Sequence, residues 1–374
     1  MRGPKVRPII IAAGGTGGHF FPAESLAAAL IARGHRVVLM TDARSGALKS
    51  PVFAGREQYV LPGAGIAGRG AIKAARALLA LAHGTIKAVF LFRDLDPAVV
   101  VGFGGYPSVP PILAAIPRKN QTSIVLHEQN AVLGRANRLL SRFANVLALG
   151  MPKTTRIPAG GKFETRVTGN PVRPPIAAIG TEIYMPPQNT IELLVVGGSL
   201  GAKIFSDVVP QAVAELPGDL RIKLKVTQQC RVEDLVRVRG IYKSCGVPAD
   251  LAPFFTDIAD RLARAHLVIG RAGASTIAEL AVAGRPSIVV PLPSAIDDHQ
   301  TANAQALADA GATTVIAQKD FTPQILCEKL TATLRDNAAL THAATQARLC
   351  GRASSAGDLA DVIEQLMNTK ARVA

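Results

Sequence analysis

Two short segments in the first half of the chain hold residue types that can move protons. Gly14-Gly15-Thr16-Gly17-Gly18-His19 follows the apolar run Ile9-Ile10-Ile11. His127-Glu128-Gln129-Asn130 follows Ser123–Leu126 directly. Imidazole titrates near neutral pH and carboxylates serve as bases when suitably placed, so both segments are candidates for acid–base chemistry. Four polar side chains at the end of a buried strand mark a site at that strand's edge. A capped helix start with satisfied hydrogen bonds explains any single one of them equally well.

Glycine turns recur where anions bind. Gly197-Gly198-Ser199-Leu200-Gly201 follows Leu193-Leu194-Val195-Val196 about half a chain after the first turn. In each case a strand stops in glycines and opens a helix, whose free N–H groups suit an anion. The first turn departs from the dinucleotide fingerprint, because Phe20 stands where the third glycine belongs, and it lacks the lysine of a P-loop. Gly102-Phe103-Gly104-Gly105-Tyr106-Pro107-Ser108 is a further turn of the same half. In the second half, Val268–Glu279 is again strand, turn and helix. Thr276 and Glu279 have the spacing of a capping box. The alternative places a diphosphate on the N–H groups near Ala274–Thr276 and a ribose on Glu279. Asp297-Asp298-His299-Gln300, with Asn303, adds polar groups for a hydroxylated ligand. Asp94-Leu95-Asp96 precedes Pro97 and reads as a turn. No cluster has metal-ligand spacing, and neither metal nor cofactor is expected.

These turns need strands and helices to hold them. Strand-like runs near 8–12, 37–40, 98–101, 123–126 and 146–149, then near 193–196, 222–226, 266–269 and 287–290, alternate with helical ones. That alternation predicts βα units and parallel sheets. Pro22 is placed for the first turn of a helix that Gly34 would end. The proline-rich Gly169–Pro175 stretch marks a boundary, giving domains over 1–170 and 171–374. A last helix over 356–367 is expected, and the sequence does not say on which domain it packs.

At 374 residues and 48% apolar, two domains with sizeable aliphatic cores are the natural expectation. A net charge of +15 favours anionic partners. No nucleic-acid reader motif accompanies it, and no nucleic-acid partner is expected. Cys230, Cys245, Cys327 and Cys350 form no C-x-x-C pair, which fits free thiols in a reducing compartment. No signal peptide is recognised, and no uninterrupted apolar run approaches the ~20 residues of a membrane span. A soluble or peripheral cytoplasmic protein is expected. In the 63–93 segment, Gly63, Gly65, Gly68 and Gly70 lead into Ile72, Leu78, Leu79, Leu81, Ile86, Val89, Phe90, Leu91 and Phe92, interspersed with Lys73, Arg76, Lys87 and Arg93. This is either an ordinary amphipathic core helix or one that lies on an anionic membrane.

The motifs converge as an ordered set. Gly-Gly-Thr-Gly-Gly-His-x-x-Pro (14–22), Gly-Gly-Tyr (104–106), His-Glu-Gln-Asn (127–130), Gly-Asn-Pro-Val-Arg (169–173), Gly-Gly-Ser-x-Gly-Ala (197–202), the 271–279 segment and Asp298-His299-Gln300-x-x-Asn303 follow one another. In this the chain resembles, over nearly its whole length, the bacterial peptidoglycan glycosyltransferases that add N-acetylglucosamine to lipid I, an undecaprenyl-diphosphate-linked acceptor, to make lipid II. The resemblance implies a GT-B fold, an α/β architecture of two Rossmann-like domains whose parallel sheets face a central cleft. It implies UDP-N-acetylglucosamine on the C-terminal domain. The N-terminal domain would hold lipid I and the anionic cytoplasmic face of the inner membrane, with room for other cell-wall synthesis proteins as partners. Ser199, Arg173 and Ala274, Ser275 and Thr276 would face the diphosphate. Glu279 would meet the ribose, the backbone near Phe255 the uracil, and Gln300, Asn303 and Asn130 the sugar. Thr16, Gly17 and Gly18 would contact substrate, and Gly14, Gly15, Gly104, Gly105 and Tyr106 the acceptor. The chain departs from the familiar pattern at Ala272, where Ser is common, at Phe255, where Ile is common, and in a longer 291–300 tract.

The reaction implied is inverting and metal-independent. The acceptor 4-hydroxyl attacks C1 of the donor sugar while a base takes its proton. His19 is the first candidate base and Glu128 the second. His19 serves equally well as a cation on the acceptor diphosphate. Three rivals stand beside this reading: a UDP-N-acetylglucosamine 2-epimerase, a transferase to another lipid such as diacylglycerol, and a non-catalytic anion- or nucleic-acid-binding protein.

Overall fold

The computed structural model describes residues 6–14, 17–44, 50–65, 70–198 and 201–371. The chain divides into two compact units. Unit 1 is Met1–Arg173 with Ser354–Ala374, and unit 2 is Pro174–Ala353.

Unit 1 contains β1 (Ile9–Ala12), α1 (Gly17–Ala32), β2 (Val37–Thr41), β3 (Gln58–Val60), α2 (Ala71–Leu95), β4 (Val99–Gly102), α3 (Val109–Ala115), β5 (Ser123–Glu128), α4 (Arg135–Leu140), β6 (Val146–Leu149) and β7 (Glu164–Val167). Its sheet is parallel, in the order β3-β2-β1-β4-β5-β6-β7. Period-two alternation divides the strands between two cores. Ile9, Ile11, Leu39, Val99 and Val101 pack on one face with α1. Ile10, Val38, Met40, Val100 and Leu126 pack on the other with α2. Burial on both faces is why these strands read as unbroken apolar runs. Each fully buried Ile contributes about 1.5–3 kcal/mol relative to exposure.

In unit 2, α5 (Pro174–Ile179), β8 (Ile191–Val196), α6 (Lys203–Ala214), α7 (Gly218–Arg221), β9 (Leu224–Gln229), α8 (Leu235–Ser244), β10 (Ala249–Ala252), α9 (Ile258–Arg264), β11 (Leu267–Gly270), α10 (Ala274–Ala283), β12 (Ser287–Val289), α11 (His299–Ala308), β13 (Thr313–Val315), α12 (Pro323–Leu334) and α13 (Asn337–Cys350) follow in sequence. Its parallel sheet has the order β10-β9-β8-β11-β12-β13. The chain then returns to unit 1 as α14 (Ser355–Ala371), whose Leu359, Ala360 and Ile363 join the core beside Leu26, Ala27 and Leu30.

Strand order explains where the glycine turns fall. The order in which the chain adds strands reverses in each sheet between the first and fourth strands, β1 and β4 in unit 1 and β8 and β11 in unit 2. Open α/β sheets take ligands at the strands' carboxyl ends beside such a reversal. All four glycine-bearing turns of the sequence lie at these two switch points.

Three local expectations are corrected. α1 begins at Gly17, so Pro22 sits in its second turn and removes one rung from the helix ladder. The Thr276–Glu279 spacing is no capping box, because α10 is capped by Gly273 and both residues lie inside the helix. The strand expected over 222–226 runs instead over Leu224–Gln229.

Helix α2 is 25 residues long. It is the one described helix long and apolar enough to cross a membrane by length and composition, which the sequence reading did not expect. Its inner stripe of Ala77, Leu81, Ala88, Phe92 and Leu95 is buried. At Gly84 a Cβ would come within 2.1 Å of the Pro62 carbonyl oxygen, so the helix lies directly on that backbone. Its outer stripe exposes Ile72, Leu79, Ile86 and Phe90, each more than half exposed. Such a helix is docked on its own domain along one face and open along the other.

Candidate active site

In unit 1 the site grows from the ends of β1, β4 and β5. Gly14 follows β1, and Gly17, Gly18 and His19 form the first turn of α1. Gly15 and Thr16, expected on this turn, lie outside the described residues. The His19 ring is half-buried, and its Nδ1 is 2.9 Å from Gln129 Oε1. Beneath the ring run Gly104 and Gly105, with φ of 83° and 67°. A Cβ on Gly105 would stand 3.6 Å from His19 Nε2, so the paired glycines bring bare backbone against the imidazole edge.

Tyr106 turns away from His19. Its hydroxyl donates to the buried Asp42 carboxylate and accepts from Arg44 Nε at 3.0 Å. Burial first, and the Asp42 carboxylate second, push the phenol pKa up and keep it a donor. The ring lies against Gly63 and Gly65, the lead-in to α2. Tyr106 thus connects the Gly104–Gly105 turn to the end of β2 and to that lead-in.

His127 and Glu128 belong to β5 itself and are buried at 0% and 2% exposure. Both Glu128 oxygens are engaged. Oε1 accepts from Asn130 N and Asn130 Nδ2, both at 3.0 Å. Oε2 accepts from Gly134 N at 2.8 Å and Asn137 Nδ2 at 2.9 Å. His127 Nε2 meets the Gly169 carbonyl at 3.0 Å. Burial holds the His127 pKa at about 4, so the ring is neutral at physiological pH. Arg173, the last residue of the first segment of unit 1, stacks its guanidinium over the Phe21 ring at 5.1 Å.

Unit 2 presents a second set of turns. Ser199, expected at the diphosphate, lies outside the described residues. Around it, Gln229 Oε1 accepts from Gly197 N at 2.9 Å, while Gln229 Nε2 donates to Gly198 O at 2.9 Å and Pro253 O at 3.0 Å. One buried amide therefore fixes the turn after β8 to the turn after β10, which carries Phe255. The Phe255 side chain is itself buried and Arg261 stacks on it at 4.1 Å, which leaves only backbone for a ligand there.

Beyond β11, the first turn of α10 holds Ala274, Ser275 and Thr276, has no acidic residue, and starts from a glycine cap. Glu279 lies one turn further in. Arg271 is turned from this helix start: it donates to Val290 O at 3.1 Å and Gln318 Oε1 at 2.7 Å. Asn303 is fully buried on α11 and donates to Ala272 O at 3.1 Å, while Gln300 Oε1 accepts from Leu292 N at 3.0 Å. The 291–300 tract contains two consecutive non-glycine residues in the left-handed region, Asp297 and Asp298, with φ of 56° and 52°. Among the described residues no group of three His, Cys, Asp or Glu side chains could hold a metal. The Asp96 carboxylate is held by Arg7 and Arg118.

Gln129 belongs to the run expected at the site but was given no role of its own, and Asn137, Asp42, Arg44 and Gln229, which carry as much of this geometry, were not expected as site residues. Gln129 sits within a motif, and Gln229 ends a strand as the second of two glutamines. The others leave no spacing signal.

Two parallel-sheet α/β units, each with glycine turns at its switch point, have the architecture of the GT-B fold. Family models for the glycosyltransferase family 28 N-terminal and C-terminal domains match residues 9–148 and 192–363. The chain belongs to glycosyltransferase family 28. It is 57% identical to a Granulibacter bethesdensis protein named UDP-N-acetylglucosamine–N-acetylmuramyl-(pentapeptide) pyrophosphoryl-undecaprenol N-acetylglucosamine transferase, over 97% of this chain and 94% of that one. A Gluconobacter oxydans protein of the same name is 51% identical over 97% and 100%. Among solved structures, MurG of Acinetobacter baumannii is similar with a TM-score of 0.75 at 32% identity, covering 96% of this chain and 99% of that one.

Proposed function

We infer that this protein is an inverting hexosyltransferase that moves N-acetylglucosamine from UDP-N-acetylglucosamine to the 4-hydroxyl of N-acetylmuramic acid in lipid I, releasing UDP and lipid II for peptidoglycan synthesis. The observation that carries this is the near-full-length likeness to transferases named for that donor and acceptor.

In the step itself, the acceptor oxygen forms a bond to C1 as the bond from C1 to the UDP oxygen breaks, and α becomes β. The acceptor proton passes to His19. Glu128 has both oxygens occupied by N–H donors and is assigned to holding Asn130, Gly134 and Asn137. The leaving diphosphate is drawn to the N-terminal turn of α10, to Ser199 and to Arg173, which offset its charge without a metal. Glu279 takes the ribose and the backbone near Phe255 the uracil. Gln300, Asn303 and Asn130 serve the sugar, Asn303 through the Ala272 turn that it holds. Gly14 to Gly18 and Gly104 to Tyr106 line the acceptor side.

Charge is divided unevenly. Unit 1 holds 25 Lys and Arg against 10 Asp and Glu, whereas unit 2 holds 17 of each, so unit 1 accounts for the whole net +15. An apolar outer stripe on α2 with Lys73, Arg76, Lys87 and Arg93 around it suits an anionic membrane surface. Unit 1 is therefore assigned the cytoplasmic face of the inner membrane, and with it the lipid acceptor.

The test is UDP release in chelated buffer with and without lipid I. Release that needs lipid I, with sugar appearing in the lipid, is the expected result. Release or a new sugar isomer without lipid I favours the 2-epimerase reading.

A further inference from the structure

Hydrogen-bond chemistry sets the direction of a chain that runs through unit 1 to His19. Gln129 is 1% exposed, and its Nε2 is 3.0 Å from the Phe103 carbonyl. A carbonyl only accepts, so the atom facing it must be the amide N–H₂. The other end of the same amide is then the oxygen, and it faces His19 Nδ1 at 2.9 Å. An amide oxygen only accepts as well, so Nδ1 must carry a proton.

The far end of the chain agrees independently. His127 Nε2 faces the Gly169 carbonyl and so carries that ring's proton. In the neutral ring Nδ1 is then an acceptor, and it lies 3.1 Å from Gln129 Nε2, a donor. Two carbonyls, Phe103 and Gly169, therefore force one orientation on Gln129 and opposite tautomers on His127 and His19. A protonated His127 would set N–H against N–H₂. Burial, which keeps that ring neutral, removes this conflict.

We propose that Gln129 is a positioning residue that holds neutral His19 as the Nδ1–H tautomer, so that Nε2, the nitrogen beside the Gly104–Gly105 turn, is the one that takes the acceptor proton; His127 sets the direction of Gln129. The kinetic part of this proposal rests on the reading of His19 as the base. The tautomer part does not. Wrong-tautomer imidazole presents N–H where a lone pair is needed, and loss of a general base costs roughly 10²–10⁴-fold.

The first test uses the intact protein labelled with ¹⁵N-histidine, in a long-range ¹H–¹⁵N spectrum at pH 8, with signals assigned through His19→Gln and His127→Gln. His19 should show a protonated Nδ1 and a bare Nε2, and His127 the reverse. A proton on His19 Nε2, or on His127 Nδ1, overturns the proposal. The second test is Gln129→Met, which should mix the His19 tautomers. It should lower kcat by at least about tenfold while KM for donor and for lipid acceptor stays within about threefold. If the tautomers mix and kcat is unchanged, the positioning stands and His19 is not the base.

Discussion

Glu128 Oε2 accepts from Asn137 Nδ2 at 2.9 Å, with Asn137 on α4 and both residues buried. With Gly134 N, Asn130 N and Asn130 Nδ2 on the same carboxylate, this joins the end of β5 to the start of α4. Removing the carboxylate orphans donors in a largely dry site, at about 1–3 kcal/mol each. Glu128→Ala should lower the thermal midpoint by roughly 10 °C or more, taking about 4 kcal/mol or more in all. Glu128→Gln retains one acceptor oxygen and should lose less than about tenfold in turnover, against roughly 10²–10⁴-fold for His19→Ala. Melting curves and initial rates on the three variants check this. A Glu128→Gln enzyme with an unchanged midpoint and no turnover would return the base to Glu128.

The central strands were legible because parallel strands covered on both faces must be apolar throughout, as Ile9–Ala12 and Val146–Leu149 are. The strands that escaped were β3, β7, β10 and β13, and these are the four edges of the two sheets. Edge strands need one partner and tolerate polar residues, so Glu164-Thr165-Arg166-Val167 carries no apolar signature. The site divides the same way. Turns were legible because glycines mark them in the chain, and Gly104, Gly105, Gly198 and Gly201 take positive φ there. Contacts such as Gln129 with His19, or Gln229 with Pro253, join residues far apart in sequence and have no period to betray them. The capping-box spacing at Thr276 and Glu279 misled because Gly273, which has no side chain to signal with, is the cap.

His127 gives the fold an acid sensitivity. Its folded pKa of about 4 lies below the 6.5 of a free imidazole, so the unfolded chain binds more protons between those values. Stability contributed by keeping this ring neutral is intact above about pH 6.5. It is lost progressively as pH falls toward 4, by about 3 kcal/mol over the full interval. His127→Gln keeps a donor for Gly169 and does not titrate. Urea unfolding at pH 7 and pH 4.5 should show a smaller drop for the variant than for the parent. Equal drops would mean that His127 is charged in the folded state.

Gln229 should act on the donor alone. Its amide spans Gly197, Gly198 and Pro253, tying the turn proposed for the diphosphate to the one proposed for the uracil. Gln229→Leu keeps the volume approximately and loses all three bonds. UDP affinity by calorimetry should fall about tenfold, equivalent to about 1.4 kcal/mol. KM for the lipid acceptor should stay within about twofold. A matching rise in acceptor KM would show that the change had spread beyond the donor turns.

The exposed face of α2 gives the sharpest separation of binding from chemistry. Leu79 and Phe90 are 70% and 57% exposed on the outer stripe, while Leu81 and Phe92, close by in sequence, are buried. Arg93 stacks on the Phe90 ring at 5.1 Å, so the stripe carries a cation at its edge. Replacing Leu79 and Phe90 with Glu removes two apolar contacts and adds two charges of the wrong sign for anionic lipid, without touching the buried face. The double variant should melt within about 2 °C of the parent, because exposed substitutions usually stay within about ±0.5 kcal/mol each. Its partition onto vesicles of anionic lipid should fall at least tenfold, and turnover of lipid I in those vesicles should fall with it. Turnover of an acceptor with a short, water-soluble lipid chain should be unchanged, because no residue of the proposed chemistry is altered. Parent-like vesicle binding by the double variant would assign the membrane face to another surface of unit 1. Loss of turnover on the soluble acceptor as well would place α2 within acceptor recognition itself.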